Sequence, residues 1–434
     1  MLLKIYHQIQ NKETGIVITL ITLSVFLRIP VVLIYGDTSL DHEWKHLVQN
    51  LIVHGQLVYE SFDGFLLPNL WMPPLYAYYL YIFSFFGLDD QNYILLVLSS
   101  QIFLSSISIV IFYKINKLFF TKSISFYSSI LFSVIPLHVY ASSQISSITL
   151  QIFSYLLFIY LFFQISKRQK GVLIIIFSIL AGLILLLRSE FQAIFILSII
   201  YLFVFFKVSI KKIFLILLIS MITISPYIIR NYLIFEKITL AETFGYNLWK
   251  GNHPNAMKNS LVEGYEFPRD LSEKTSLDEN MKKQSPKLID GFIILEAIPR
   301  DINYRLNFNK FFLGQAIHNV SKEPVSYLIF FFKKALSFIL IDINSSNPNY
   351  YNPLHYLPVL ILGITSLFGI VLSNKKSRDL NYLIMILFAF VFIFSTVSIL
   401  PRYKLIILPL QIIFTSIFVE RAKKFFIKKN KELN

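Results

Sequence analysis

SKRQKGVLIIIFSILAGLILLLRSE, residues 166–190, decides how the chain is read. Lys167, Arg168 and Lys170 form a basic cluster, residues 171–187 are apolar without a break, and Arg188 and Glu190 close the stretch. The apolar run is close to the roughly 20 residues that carry a helix across a bilayer. A helix is therefore predicted that crosses a membrane with its most basic end held at one surface.

The same pattern repeats outward in both directions. Runs at 15–36, 92–113, 149–165, 191–206, 213–229, 354–373 and 380–400 have comparable length and character. Hydrophobic residues make up 55% of the 434-residue chain and charged residues 15%. That balance excludes an ordinary soluble domain and predicts an all-α polytopic membrane protein. The first run is too long for a removable signal peptide and lacks a small-residue cleavage site, so it is expected to stay as the first helix.

The connecting charges set the orientation. Lys114, Lys117 and Lys122 form one cluster, and Lys167, Arg168 and Lys170 a second. Lys207, Lys211 and Lys212 form a third, Lys375, Lys376 and Arg378 a fourth, and the tail from Arg421 to Lys431 a fifth. The positive-inside bias places all of them in the cytoplasm, together with Lys4 and Lys12 of the N-terminus. Both termini inside require an even number of crossings, and about ten satisfy the count. Residues 73–86 and 325–343 are then expected to lie on or dip into the outer face, the first because it is short and the second because Lys333 and Lys334 stand at its centre. If both cross, the number rises to about twelve with the ends unchanged.

The net charge of +15 fits anchoring to anionic lipid headgroups better than nucleic-acid binding. With no cysteine, thiol catalysis, thiolate metal sites and disulfides are excluded. The predicted organisation is a membrane domain over 1–229 with its first external loop at 37–91, an extracytoplasmic subdomain over 230–351 that holds a polar stretch at 263–287 and a helix-like pattern at 304–320, and terminal spans with a basic tail over 352–434. A short second external segment covers 138–147.

The first external loop carries candidate chemistry. Leu40, Trp44, Leu47, Val48 and Leu51 recur at helical spacing and predict an amphipathic helix along the outer surface, with Asp41 near its first turn. An Asp there can cap the helix, or it can take a proton from a hydroxyl at the membrane surface. Asp37 and Glu43 are the alternative bases. The same place holds His42-Glu43-Trp44-Lys45-His46, which matches the zinc-protease pattern H-E-x-x-H. Lys45 between the two ligands opposes a bound dication, and no third ligand stands in an obvious motif.

Asp41, the aromatic Trp44, Asn50-Leu51 and Gly55, followed by Pro73-Pro74-Leu75-Tyr76, resemble the first external loop of C-superfamily membrane glycosyltransferases. The nearest branch contains bacterial relatives of the dolichyl-phosphate-mannose protein mannosyltransferases and aminoarabinose transferases. Ile229-Arg230-Asn231-Tyr232 with residues 245–256 is similar to the family's junction between a span and its large external loop. Pro401-Arg402-Tyr403-Lys404 with Pro409 is similar to the segment that opens its last span. The resemblance implies a GT-C fold and transfer of a sugar from a polyprenyl-phosphate donor to an acceptor outside the cytoplasmic membrane, with inversion. It also implies that Asp41 is the general base.

For the donor phosphate, Arg402 is the first candidate and Lys404 and Arg230 the weaker ones, because the planar guanidinium fork suits phosphate. Arg188 and Glu190 are candidate substrate residues or simply each other's partners. Trp44 and Tyr76 are candidates for stacking a sugar ring, or members of an interfacial aromatic belt. One departure from the family stands at Gln144-Ile145-Ser146-Ser147-Ile148-Thr149-Leu150, where relatives often carry a carboxylate at the position of Ile148. A divalent metal is thereby made doubtful, and no cofactor is certain. Trp71-Met72 replace the Glu-Lys pair of the aminoarabinose branch, which points away from that donor.

Overall fold

The computed structural model describes residues 13–40, 42–62, 65–265, 301–341, 352–374 and 376–433. In chain order its helices are α1 (Glu13–Tyr35), α2 (His42–His54), α3 (Leu75–Ser84), α4 (Asp90–Asn116), α5 (Lys122–Val134), α6 (Pro136–Ala141), α7 (Ile148–Arg168), α8 (Gly171–Leu187) and α9 (Phe191–Val204). They continue as α10 (Ile210–Phe235), α11 (Phe244–Gly251), α12 (Pro254–Lys258), α13 (Tyr304–Lys322), α14 (Pro324–Ile339), α15 (Pro353–Val371), α16 (Arg378–Thr396) and α17 (Leu408–Leu433). A 3-10 turn at Pro401–Ile406 precedes α17. Between α2 and α3 a hairpin pairs β1 (Val58–Phe62) with β2 (Phe65–Pro68), Val58 opposite Pro68 and Phe62 opposite Phe65.

Five of the described helices, α1, α4, α7, α10 and α16, are long and apolar enough to cross a membrane; α8, α9 and the Tyr356–Val371 part of α15 are shorter apolar helices. The chain is a multi-pass membrane protein of predominantly helical fold. Within lipid the backbone must satisfy itself, which these helices do. Close approach then depends on small and hydroxylated residues. Ser125, Ser128, Ser129, Ser178 and Ser198 each donate to the carbonyl four residues back, so their hydroxyls do not compete with packing. A Cβ on Gly369 would stand 1.8 Å from the Phe414 carbonyl oxygen, which makes glycine the condition for the α15–α17 contact. Elsewhere the contact is aromatic: Phe162 of α7 stacks on Tyr382 of α16 at 3.6 Å between centroids, and the Tyr382 hydroxyl is 2.9 Å from Ser198 Oγ of α9.

The basic clusters gather at one end. Lys117 pairs with Glu13 at 2.7 Å, Lys167 with Asp379 at 3.7 Å, Lys212 donates to Gln169 at 2.9 Å, and Arg378 donates to the Phe205 carbonyl at 2.8 Å. Such half-exposed pairs add little stability; they show that the lysine-bearing turns share one face. The remaining turns meet at the opposite, loop-bearing end. There α3 has ten residues, and α14 has sixteen and lies on α16 through Phe331–Phe392 and Phe338–Phe394 ring contacts. Neither is among the described helices long and apolar enough to cross by length and composition.

Two boundaries are refined. The span expected to end at 229 runs on to Phe235, because Asn231 to Phe235 keep helical geometry until Glu236 turns left-handed at φ 54°. The helical pattern expected from Tyr304 is present as α13, extended to Lys322. Most of the polar stretch 263–287 lies outside the described residues.

Candidate active site

Three sequence-remote segments meet at the loop-bearing end. Immediately after α1, the Asp37 amide donates to Ser143 O at 3.0 Å and the Asp37 carboxylate accepts the Ile145 amide at 2.6 Å. Gln144 donates back to Tyr35 O at 2.9 Å, and Gln101 of α4 donates to Gln144 O at 3.0 Å. The loop after α1 is therefore sewn to the loop before α7 through backbone groups. Asp37 performs this junction with a carboxylate because one oxygen can hold a main-chain donor that no helix satisfies.

Just beyond the junction, α7 begins at Ile148, and here the third segment arrives. Ile148, Gln151 and Ile152 of α7 line a narrow cleft with Phe394 of α16 and Arg402, Tyr403, Leu405 and Ile406 of the 3-10 turn. Arg402 is exposed, with its guanidinium carbon 6.0 Å from the Tyr403 ring centroid. Arg188, from the turn between α8 and α9, lies 5.8 Å from the same ring. Its Nε is 3.1 Å from Gln151 Oε1 and 3.5 Å from Glu190 Oε1. Two guanidinium groups thus flank one tyrosine, and only one of them is paired with a carboxylate among the described residues. The arrangement can hold an anion with planar, multi-donor recognition.

The other expected residues fall as follows. Arg230 donates to Asn69 O at 2.8 Å, to Asn231 Oδ1 at 2.7 Å and to Leu57 O at 3.4 Å, so it clamps α10 to the hairpin segment. Lys404 is buried and donates to Leu340 O at the end of α14 at 2.6 Å. Trp44 is buried and packs edge-on against Tyr76 at 4.7 Å, and the buried Tyr76 hydroxyl donates to Gln101. These two rings join α2 to α3 and α4. Glu43 and His46 are half-buried on α2. Asp41 and the side chain of His42 lie outside the described residues.

Among the described residues no three His, Cys, Asp or Glu side chains come together as metal ligands. The polar groups at the cleft, the Arg402 guanidinium and the Gln151 amide to which Arg188 donates, suit an anion.

Sequence reasoning did not single out Gln151 or Tyr403 as partners of the arginines. Gln151 stands three residues after Ile148, one helical turn on, so spacing from the departing family position would have pointed to it. Nor did it find the aromatic cluster beside the hairpin, where Trp71 meets Tyr246 and Phe308 at 5.4 and 5.7 Å and the Arg305 guanidinium lies 4.4 Å from the Trp71 centroid. That cluster joins the first loop to α11 and α13.

Comparison with known proteins bears on the fold. Residues 72–229 match the family model described as dolichyl-phosphate-mannose-protein mannosyltransferase. The fold matches the Archaeoglobus fulgidus oligosaccharyltransferase AglB, solved with an inhibitory peptide and a dolichol-phosphate, at a TM-score of 0.56 and 14% identity over 96% of this chain and 51% of that one. The A. fulgidus oligosaccharyltransferase tethered to an acceptor peptide with an NVT sequon gives 0.54 and 14% over 94% and 49%. The same enzyme with Zn and sulfate gives 0.54 and 14% over 95% and 49%. The chain spans about half the length of these structures. No curated protein matches it. Residues 72–229 are thus similar to that family, and the chain shares the fold of these oligosaccharyltransferases.

Proposed function

We propose that the chain transfers a sugar from a polyprenyl-phosphate donor to a hydroxyl or amine acceptor at the outer face of the cytoplasmic membrane. The observation that supports this most is the pair Arg402 and Arg188 around Tyr403, beside the junction of the first two loops. A lipid-linked sugar phosphate has its anion at the membrane surface and its tail between helices. Cations at the loop-bearing end and apolar spans below match both parts. The basic clusters at the opposite end support this orientation through the positive-inside bias.

In this mechanism the acceptor oxygen or nitrogen attacks the anomeric carbon from the face opposite the phosphate. The new bond forms as the bond from carbon to phosphate oxygen breaks, and configuration inverts. Asp41 accepts the acceptor's proton as general base. The leaving lipid phosphate gains negative charge, which Arg402 and Arg188 stabilise where it develops. Lys404 and Arg230 are left out of this step because backbone carbonyls already take their donors. Asp37 holds the loop junction.

Mass spectrometry of surface glycans in a deletion strain tests the proposal. Wild type and Glu43→Gln are expected to restore a missing sugar. Asp41→Asn should lower transfer by a factor on the order of 100 or more. Unchanged glycans after deletion, or loss with Glu43→Gln alone, would overturn the assignment and turn attention to the His42-Glu43-x-x-His46 reading.

A further inference from the structure

Lys334 and Lys404 are the buried lysines among the described residues, and Lys334 is the one that gathers acceptors from the ends of two helices. It is fully buried, at 0% exposure, in α14, which lies across the loop end of α16. Its ammonium donates to Gly251 O at 3.1 Å, Asn252 Oδ1 at 3.0 Å and Val397 O at 3.1 Å. Gly251 is the last residue of α11 and Val397 caps α16. The charge therefore sits where two helices present their carbonyl ends, the electrostatically favourable place for a cation.

The contact is reinforced from both sides. Asn252 donates to Leu248 O at 2.8 Å and Thr396 O at 2.7 Å, so the residue that receives Lys334 also ties α11 to α16. Gly251 is so close to the turn that a Cβ would lie 2.3 Å from the Val397 carbonyl carbon. After Val397, the Ile399 amide donates to Val262 O at 2.8 Å. The 3-10 turn follows at once with Arg402 and Tyr403. Its far side is held in turn by Lys404 on Leu340 O and by Gln411 on Ile339 O at 2.8 Å.

We infer that Lys334 is a positioning residue whose charge holds the 397–403 turn, and through it Arg402 and Tyr403, in the geometry that receives a prenyl-linked phosphate. The inference rests on the phosphate-site reading above. No carboxylate pairs with Lys334 among the described residues; the groups that face it are the Gly251 and Val397 carbonyls, the Asn252 amide and the Phe330 ring at 5.1 Å. Burial without a counter-ion lowers its pKa to about 7. The pin is consequently charged in mildly acidic solution and loses its charge as the solution becomes alkaline.

The test measures binding of geranylgeranyl methyl phosphate to the full chain in nanodiscs from about pH 6 to about pH 8.5. This diester has no second ionisation, unlike a phosphomonoester, whose second pKa is about 6. Wild-type affinity should fall about tenfold across that range, the size of effect expected from losing one well-placed charge. Lys334→Met should bind about tenfold more weakly at the acid end and show no slope. Asn252→Asp, which places a carboxylate on the ammonium, should move the midpoint upward by about one unit or more. A flat wild-type profile, an unmoved midpoint in Asn252→Asp, or a folded Lys334→Met with wild-type affinity and slope would overturn the inference. Arg402→Gln separates the two ideas. Weakened binding there with an unaffected Lys334→Met leaves the phosphate site standing and removes only the pin, whereas unaffected Arg402→Gln removes both.

Discussion

Arg28 and Lys334 are both fully buried cations with no carboxylate partner among the described residues, yet the fold holds them by different means. Arg28 lies inside α1. Its Nε donates to Ser105 Oγ at 2.8 Å, Nη1 donates to Ser24 O at 3.2 Å and Ser133 O at 3.4 Å, and Nη2 is 3.1 Å from His138 Nδ1. One planar fork thus ties α1 to α4, α5 and α6. Lys334 gathers only oxygen acceptors on the ends of two helices, with a single rotatable ammonium. A guanidinium cannot give up its proton in a protein, whereas a buried ammonium can. The first cation is a permanent rivet inside the bundle, and the second is an adjustable one at the loop-bearing end.

Arg28→Ala would break this comparison most forcefully. The substitution leaves a cavity and at the same time orphans acceptors on three helices, so a loss of about 3–5 kcal/mol is expected. Arg28→Lys should recover little, because a point charge cannot reach Ser105, Ser133 and His138 together. Thermal unfolding in detergent measures both. A variant as stable as wild type would show that Arg28 is no rivet and that buried cations in this fold are merely tolerated.

Gly251→Ala probes the other end with a smaller effect. The new methyl must push α11 away from Val397, which strains both backbones that Lys334 bridges, at a cost of about 1–3 kcal/mol. The comparison sharpens if prenyl-phosphate binding drops in Gly251→Ala and stays at wild-type level in folded Arg28→Lys. Equal binding losses in both would mean that the site responds to general stability and not to the 397–403 turn.

These two regions also show which parts of the chain its sequence discloses. Spans follow from apolar length, and the sharing of one end by basic turns from the placement of lysines, both local properties. The helix of residues 304–322 was legible for the same reason. Arg28 was not, since the spans read as nearly free of charge away from their ends; its partners lie 77, 105 and 110 residues away along the chain. Arg402 and Arg188 were each visible as cations out of place at the loop-bearing end. Their meeting at Tyr403 was not, because that contact depends on how α7, the α8–α9 turn and the 3-10 turn converge. Trp44 and Tyr76 illustrate the converse: aromatic character suggested a sugar platform as readily as a packing contact, and only burial assigns them to the α2–α3 interface.

The mildest test is a change of pH, and its sign separates a positioning charge from a stabilising one. Lys334 has a folded pKa of about 7 against an ordinary 10.5. Below about pH 7 the folded and unfolded chains both carry the proton, and stability does not depend on it. Between about pH 7 and 10.5 the unfolded chain keeps a proton that the folded chain has released, so stability rises with pH, by at most about 1.4 kcal/mol per unit. Over the same interval the phosphate site should bind more weakly, because the pin has lost its charge. Opposite slopes of stability and affinity are therefore expected in wild type, and this slope of stability should vanish in Lys334→Met. Arg28 adds no slope of its own, since its guanidinium stays charged throughout. Calorimetry from about pH 6.5 to 9 beside the binding profile would decide the matter. Stability and affinity falling together would assign Lys334 to ordinary structural support, with the burial of its charge contributing nothing specific to the site.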